Sequence, residues 1–159
     1  MSNLGLGVLA IIYMFNGEFY ISALLILVAG LLDRFDGMLA RRFNATSSIG
    51  KELDSLCDLI SFGIAPAMLI WNISLQYLGL LGTAFTICYA VSGAYRLARY
   101  NVTSFDGIYV GVPITLAGGI VSIMSLYILK YDLNAYVVSA IVLILSYAMV
   151  STKLKLKKR

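Results

Sequence analysis

A polytopic all-α membrane protein, built as a six-transmembrane-helix bundle, is the architecture this sequence predicts. Three observations carry it. The 159 residues are 60% hydrophobic with a mean hydropathy of +0.89, outside the range of an ordinary soluble domain. Six apolar runs, at about 4–15, 18–43, 49–71, 75–98, 108–129 and 133–150, fill nearly the whole chain, and stretches of about 18 or more mostly apolar residues are candidate spans. With six crossings, eleven of the twelve basic residues fall on one side, leaving only Lys130 on the other. The positive-inside rule then places both termini at the cytoplasmic face of the cell membrane.

The first run is too short to span alone, and it lacks the basic start and cleavage site of a signal peptide. The natural chain is expected to extend before Met1 and complete this possibly truncated helix. The second run, 18–43, ends in charge: Asp33, Arg34, Asp36, Arg41 and Arg42. The third opens on Lys51, Glu52, Asp54 and Asp58. The fourth closes on Arg96 and Arg99, and the fifth and sixth are apolar throughout. Short connections make sequential helices antiparallel neighbours, so 1–159 is expected to be a single membrane domain without internal repeats. Tyr13, Phe15, Phe19, Tyr20, Trp71, Tyr77, Tyr127, Tyr131 and Tyr136 cluster at the expected outer ends, where aromatic rings favour the headgroup level. The basic tail from Lys153 to Arg159 is expected to fix topology and touch anionic lipid. No aromatic-basic platform accompanies it, so no nucleic-acid partner is expected.

Charge at membrane depth marks function. Each ionised group there costs roughly 2.5–3.5 kcal/mol on the gentlest scale. Asp33 and Asp36 are spaced i, i+3, and Asp54 and Asp58 i, i+4, so each pair shares a helix face. Two antiparallel helices joined by a cytoplasmic turn can aim the pairs at each other. Four carboxylates then enclose a space suited to two divalent ions, and oxygen ligands select Mg2+ or Mn2+. Salt bridging to the local arginines is the competing reading. Cys57 lies between Asp54 and Asp58 but off their shared face. It and Cys88 read as small buried residues.

Gly37 beside Asp36 lets either a neighbouring helix or a ligand approach the backbone, and Ala40 is similarly small. Arg41 offers a planar fork of donors to phosphate or acts as counterion to the acids. Thr46, Ser47 and Ser48 stand where the third helix begins, as caps or phosphate donors. The chain contains no histidine. A phosphohistidine, a histidine base and a histidine-ligated zinc are therefore excluded from these residues, and no serine has an evident base. Metal-assisted transfer with an aspartate accepting the proton is what these groups can do.

The run Asp33-Arg-Phe-Asp36-Gly37-Met-Leu-Ala40-Arg41, eight residues, then Gly50-Lys-Glu-Leu-Asp54-Ser-Leu-Cys-Asp58 resembles the signature of the CDP-alcohol phosphatidyltransferases, D-x-x-D-G-x-x-A-R-x8-G-x3-D-x3-D. All eight fixed positions match. Leu59-Ile-Ser-Phe-Gly-Ile-Ala-Pro-Ala67, Arg96-Leu-Ala-Arg99-Tyr-Asn101, Gly111-Val-Pro113 and the start Ser2-Asn3-Leu4-Gly5 are most similar to the family's branch of bacterial integral-membrane phosphatidylserine synthases.

That resemblance implies transfer of a phosphatidyl group from CDP-diacylglycerol to the L-serine hydroxyl, giving phosphatidylserine and CMP. Asp33, Asp36, Asp54 and Asp58 would ligate two divalent ions, with Asp58 also the general base. Gly37, Arg41 and Ser47 match positions contacting CDP, and Ala40 a small residue beside the cytidine. A homodimer is implied as well. For the acceptor, Arg96, Arg99 and Asn101 at the cytoplasmic end of the fourth helix are candidate serine-binding residues, with Ser61, seven residues after Asp54, a further one. Arg96 and Arg99 also fit a plain topology anchor. Glycerol 3-phosphate or an inositol phosphate as acceptor is the alternative within the family. A divalent-cation transporter is the alternative outside it, though acids near one face without repeats suit that class poorly.

Overall fold

The computed structural model describes residues 2–42, 48–102, 108–153 and 155–157. Among these, helix α1 spans Ser2–Phe15, α2 Phe19–Arg42, α3 Ser48–Asp58, α4 Ala65–Ile73, α5 Leu80–Val102, α6 Ile114–Lys130 and α7 Ala135–Val150. A π-helical stretch, Leu59–Ile64, joins α3 to α4 without a break. The seven α segments therefore make six rods, one for each apolar run.

Two boundaries differ from the sequence reading. The fourth run begins not as helix but as a 3-10 turn, Leu75–Leu78, and α5 starts at Leu80. The fifth run opens with a short strand, β1 at Ile108–Val110, and α6 waits until Ile114. Gly111 intervenes at φ 83°, a backbone region that side chains with a Cβ avoid. Pro113 then supplies the N-cap position, where the fixed φ of proline suits a helix entry. β1 pairs antiparallel with β2, Lys155–Lys157, in the register Ile108 to Lys157, Tyr109 to Leu156 and Val110 to Lys155. The all-α expectation omitted this ladder. The alternation of Lys and Leu in the tail is a period-two signal for a strand, overlaid by its charge.

One helix among the described residues, Ile49–Ile73, is both long and apolar enough to cross a membrane. Helices α1, α6 and α7 are apolar but hold 14, 17 and 16 residues. At 1.5 Å per residue each reaches only about 21–26 Å, against a hydrocarbon core of about 30 Å.

The packing is inverted relative to a water-soluble bundle. Outward faces are apolar at helical spacing: Leu24, Val28, Leu31 and Phe35 on α2, and Leu116, Ile120, Ile123 and Tyr127 on α6, are all exposed. Inward faces carry small and hydroxylated residues, among them Ala23, Ala29, Ala117, Ser122, Ser125 and Ser146. The hydroxyls of Ser122, Ser125 and Ser146 each donate to the carbonyl four residues earlier, so the interior holds them satisfied. Small residues let helix backbones approach closely where lipid offers no hydrophobic drive. Ser61 presses on α1 at Gly7, where a Cβ would lie 2.5 Å from the Ser61 Oγ, and Phe62 presses on α6 at Gly118. The Tyr89 hydroxyl of α5 donates to the Phe62 carbonyl at 3.2 Å. The π-helical stretch is thus gripped by α1, α5 and α6 together.

The antiparallel order gathers the starts of α1, α3 and α6 and the ends of α2, α5 and α7 at one end of the bundle. Contacts across it confirm the arrangement: Asn3 with Asp33 and Asp58, Ser55 with Asn101, and Arg99 with Val150. The opposite end carries Phe15, Tyr20, Tyr77, Tyr127, Tyr131 and Tyr136, all exposed.

Candidate metal centre and active site

Asp33 in the second half of α2 meets Asp54 and Asp58 in the second half of α3. One carboxylate oxygen from each of Asp33, Asp54 and Asp58 lies within 4.8 Å of the others. Asp54 is exposed, while Asp33 and Asp58 are half-buried. Three like charges this close repel unless something offsets them. A divalent ion held at about 2.0–2.6 Å from each oxygen spans oxygen pairs up to about 4–5 Å apart. The spacing and the all-oxygen donor set therefore fit such an ion.

Asp36, Gly37, Ala40 and Arg41 lie on α2 near Asp33 in sequence. The side chains of Asp36, Ala40 and Arg41, and the whole of Ser47, fall outside the described residues. Cys57 is buried and takes no part in the acidic cluster, in line with its position off the aspartate face.

A residue that the sequence did not mark completes the cluster. Asn3, 1% exposed, sends its Nδ2 to Asp33 Oδ1 and Asp58 Oδ1, both at 3.1 Å. Its own Oδ1 is buried without a partner, an arrangement that costs about 1–3 kcal/mol. The start Ser2-Asn3-Leu4-Gly5 carried the only hint, as part of a resemblance with no role attached.

The four acceptor candidates separate. Arg96 is buried on α5, its Nε has no hydrogen-bond partner, and its charge is felt at Asp58. Arg99 donates to the Val150 carbonyl at 2.8 Å and lies over the Tyr95 ring, tying the end of α5 to the end of α7. Asn101 donates to Glu52 Oε2 at 2.9 Å and Ser55 Oγ at 3.0 Å. These line a cleft of about 150 Å3 between α3 and α5, on a different face of α3 from Asp54 and Asp58. Ser61 is fully buried, and its hydroxyl donates to the Asn3 carbonyl at 2.8 Å. Only Arg96 thus presents a buried unpartnered donor electrostatically linked to the aspartates. Glu52 and Ser55 line the same cleft as Asn101.

Three carboxylates from two helices converge at one end of an apolar bundle, a donor set that fits a divalent ion. Comparison with known proteins makes the class definite. Residues 1–152 match the family model described as CDP-alcohol phosphatidyltransferase. The chain belongs to that family, whose members are membrane-bound and use divalent cations.

Among curated relatives, it is 37% identical over 146 residues to the CDP-diacylglycerol–serine O-phosphatidyltransferase of Bacillus subtilis, covering 91% of this chain and 80% of that one. It is 32% identical over 158 residues to the protein of the same name from Methanocaldococcus jannaschii, covering 99% and 71%. It is 37% identical over 134 residues to the archaetidylserine synthase of Methanothermobacter thermautotrophicus, covering 80% of this chain and just over half, 55%, of that relative.

Proposed function

We propose that this chain, a single membrane domain over 1–159, transfers the phosphatidyl group of CDP-diacylglycerol to L-serine at the cytoplasmic face of the cell membrane. The observation that carries the reading is the convergence of Asp33, Asp54 and Asp58 from two helices within one end of an apolar bundle. The names of three relatives, each a serine-directed synthase or transferase, support serine as the acceptor. Six full crossings are part of the same proposal. They are supported by the outward apolar faces and by the aromatic residues at the end opposite the aspartates.

In this reading Asp33, Asp36, Asp54 and Asp58 hold two divalent ions, Mg2+ or Mn2+. When bound, these supply charge neutralisation to the diphosphate and its leaving group. The chain's own groups do the rest. Gly37 and Ala40 leave room for the nucleotide, and Arg41 and Ser47 donate to its phosphates. Asp58, half-buried and facing α1 and α2, takes the proton of the serine hydroxyl as that oxygen bonds to the lipid-side phosphorus. The bond from that phosphorus to CMP breaks, and CMP departs with the bonding pair. The Arg96 guanidinium receives the serine carboxylate. We leave Arg99, Asn101 and Ser61 in the structural roles their contacts define.

The test is CMP release from CDP-diacylglycerol by the purified chain, with serine, glycerol 3-phosphate and inositol phosphate as separate acceptors. Serine-dependent release is the expected result. A preference for either phosphorylated acceptor refutes the serine assignment while keeping the family reaction.

A further inference from the structure

Asn3 enters α1 at the acidic end of the bundle, yet its amide is committed to residues 30 and 55 positions away. A carboxamide nitrogen carries two hydrogens, and here two carboxylate oxygens receive them, one from α2 and one from α3. The opposite face of that amide is a buried oxygen with no donor. Rotating the amide by half a turn would set that oxygen against both carboxylates, so the acids dictate its orientation.

The backbone beneath the side chain is equally held. The Asn3 carbonyl accepts the Ser61 hydroxyl, and one turn further on Gly7 closes against the Ser61 backbone, with 2.8 Å between a Cβ position and Cα. Ser61 belongs to the π-helical stretch that follows Asp58 directly. The first turn of α1 is therefore pinned to the same segment that aims Asp58.

We propose that Asn3 is a positioning residue of the metal centre, its amide clamping Asp33 to Asp58 so that their oxygens converge with Asp54 before an ion arrives. The inference rests on the divalent-ion reading of the aspartates. Two donors between two like charges offset part of their repulsion. They also fix which oxygen of each carboxylate is turned away and which stays available. Groups that orient metal ligands in this way contribute about 10–100-fold to metal affinity.

The experiment is Mn2+ titration of the detergent-purified full chain, with free Mn2+ read by electron paramagnetic resonance and the fold checked by melting in chelator. Asn3→Ala should raise the Mn2+ dissociation constant about 10–100-fold. Ser146→Ala, which removes a buried hydroxyl bonded only within α7, should leave it unchanged. Asn3→Ser, short and able to reach one carboxylate at most, should fall between wild type and Asn3→Ala. It carries the test if Asn3→Ala does not fold. A folded Asn3 variant that binds Mn2+ as tightly as wild type overturns the clamp. Wild-type protein that binds no Mn2+, or binds it unchanged in Asp54→Ala, overturns the metal reading itself.

Discussion

Gly118 and Gly119 are neighbours on α6 with opposite surroundings, and replacing each by alanine separates a packing effect from everything else. A Cβ on Gly118 would lie 2.7 Å from the Phe62 carbonyl oxygen and 2.9 Å from the Phe62 Cα, whereas one on Gly119 meets nothing within 4 Å. Both changes remove the same glycine from a helix interior and gain about 0.5–1 kcal/mol from backbone entropy. That term cancels in the comparison. What remains is the clash with backbone at Phe62, and forcing an extra methyl into a filled interior costs about 1–3 kcal/mol. For a chain of this size each kcal/mol moves the melting temperature by about 2–4 °C. Gly118→Ala should therefore melt roughly 2–12 °C below Gly119→Ala in the same detergent. Phe62 sits four residues beyond Asp58 within a continuous helix, so the displacement should reach the active site. Misplacement by about 1 Å can cost up to 10²-fold in rate. CMP release by Gly118→Ala should drop while that of Gly119→Ala holds. Equal melting temperatures, or a more stable Gly118→Ala, would refute the close approach of α6 to the π-helical stretch.

Other outcomes follow from the site. Asp58→Asn should lower turnover about 10²–10⁴-fold while CDP-diacylglycerol binding persists, measured by single-turnover release and by lipid binding; turnover near wild type removes Asp58 as the base. Arg96→Leu should raise the serine requirement roughly tenfold or more, because a charge-assisted hydrogen bond is worth about 1.5–3 kcal/mol. Arg99→Leu, which frees the Val150 carbonyl, should lower the melting temperature and leave the serine dependence in place. An unchanged serine dependence in Arg96→Leu moves the acceptor site elsewhere. Exhaustive chelation should abolish CMP release, and Mg2+ or Mn2+ should restore it; full activity in chelator excludes a metal-assisted reaction.

The parts of this protein visible in its sequence are those written in local spacing. Asp33 comes together with Asp54 and Asp58 because i, i+4 pairing puts the latter two on one face and that face turns toward α2. The six rods appeared as six apolar runs because lipid-facing and protein-facing sides are both mostly apolar. For the same reason the runs opening at 75 and 108 do not reveal where helix begins: hydropathy alone does not separate a 3-10 turn or a short strand from a helix. Asn3 escaped notice because its partners lie 30 and 55 residues away. A lone asparagine in an apolar run has no periodicity to betray it. The tail was legible in principle, since Lys155, Leu156 and Lys157 alternate as a strand does, yet its charge was the stronger signal.

The π-helical stretch is the least legible feature and the one that ties the rest together. Leu59–Ile64 reads as more apolar helix, and its one local signal is Pro66 just beyond, which has no N–H for the Phe62 carbonyl. Such stretches occur in short pieces and often at functional sites, because the wider turn shifts the facing of residues after it relative to those before. Here Asp54 and Asp58 precede the shift and face α1 and α2, while Phe62 lies within it, Ala65 and Leu69 follow it, and all three are buried in the core. One rod therefore serves as an acidic wall at its start and an apolar post along its remainder. Within this stretch the Phe62 carbonyl accepts from Tyr89 of α5, and the Ser61 hydroxyl donates to the Asn3 carbonyl of α1. Position 66, four residues beyond Phe62, is a proline with no N–H, so the Phe62 carbonyl has no α-helical donor to lose when it accepts from Tyr89. The geometry of the acids thus depends on contacts made one turn below them, where no charged residue stands.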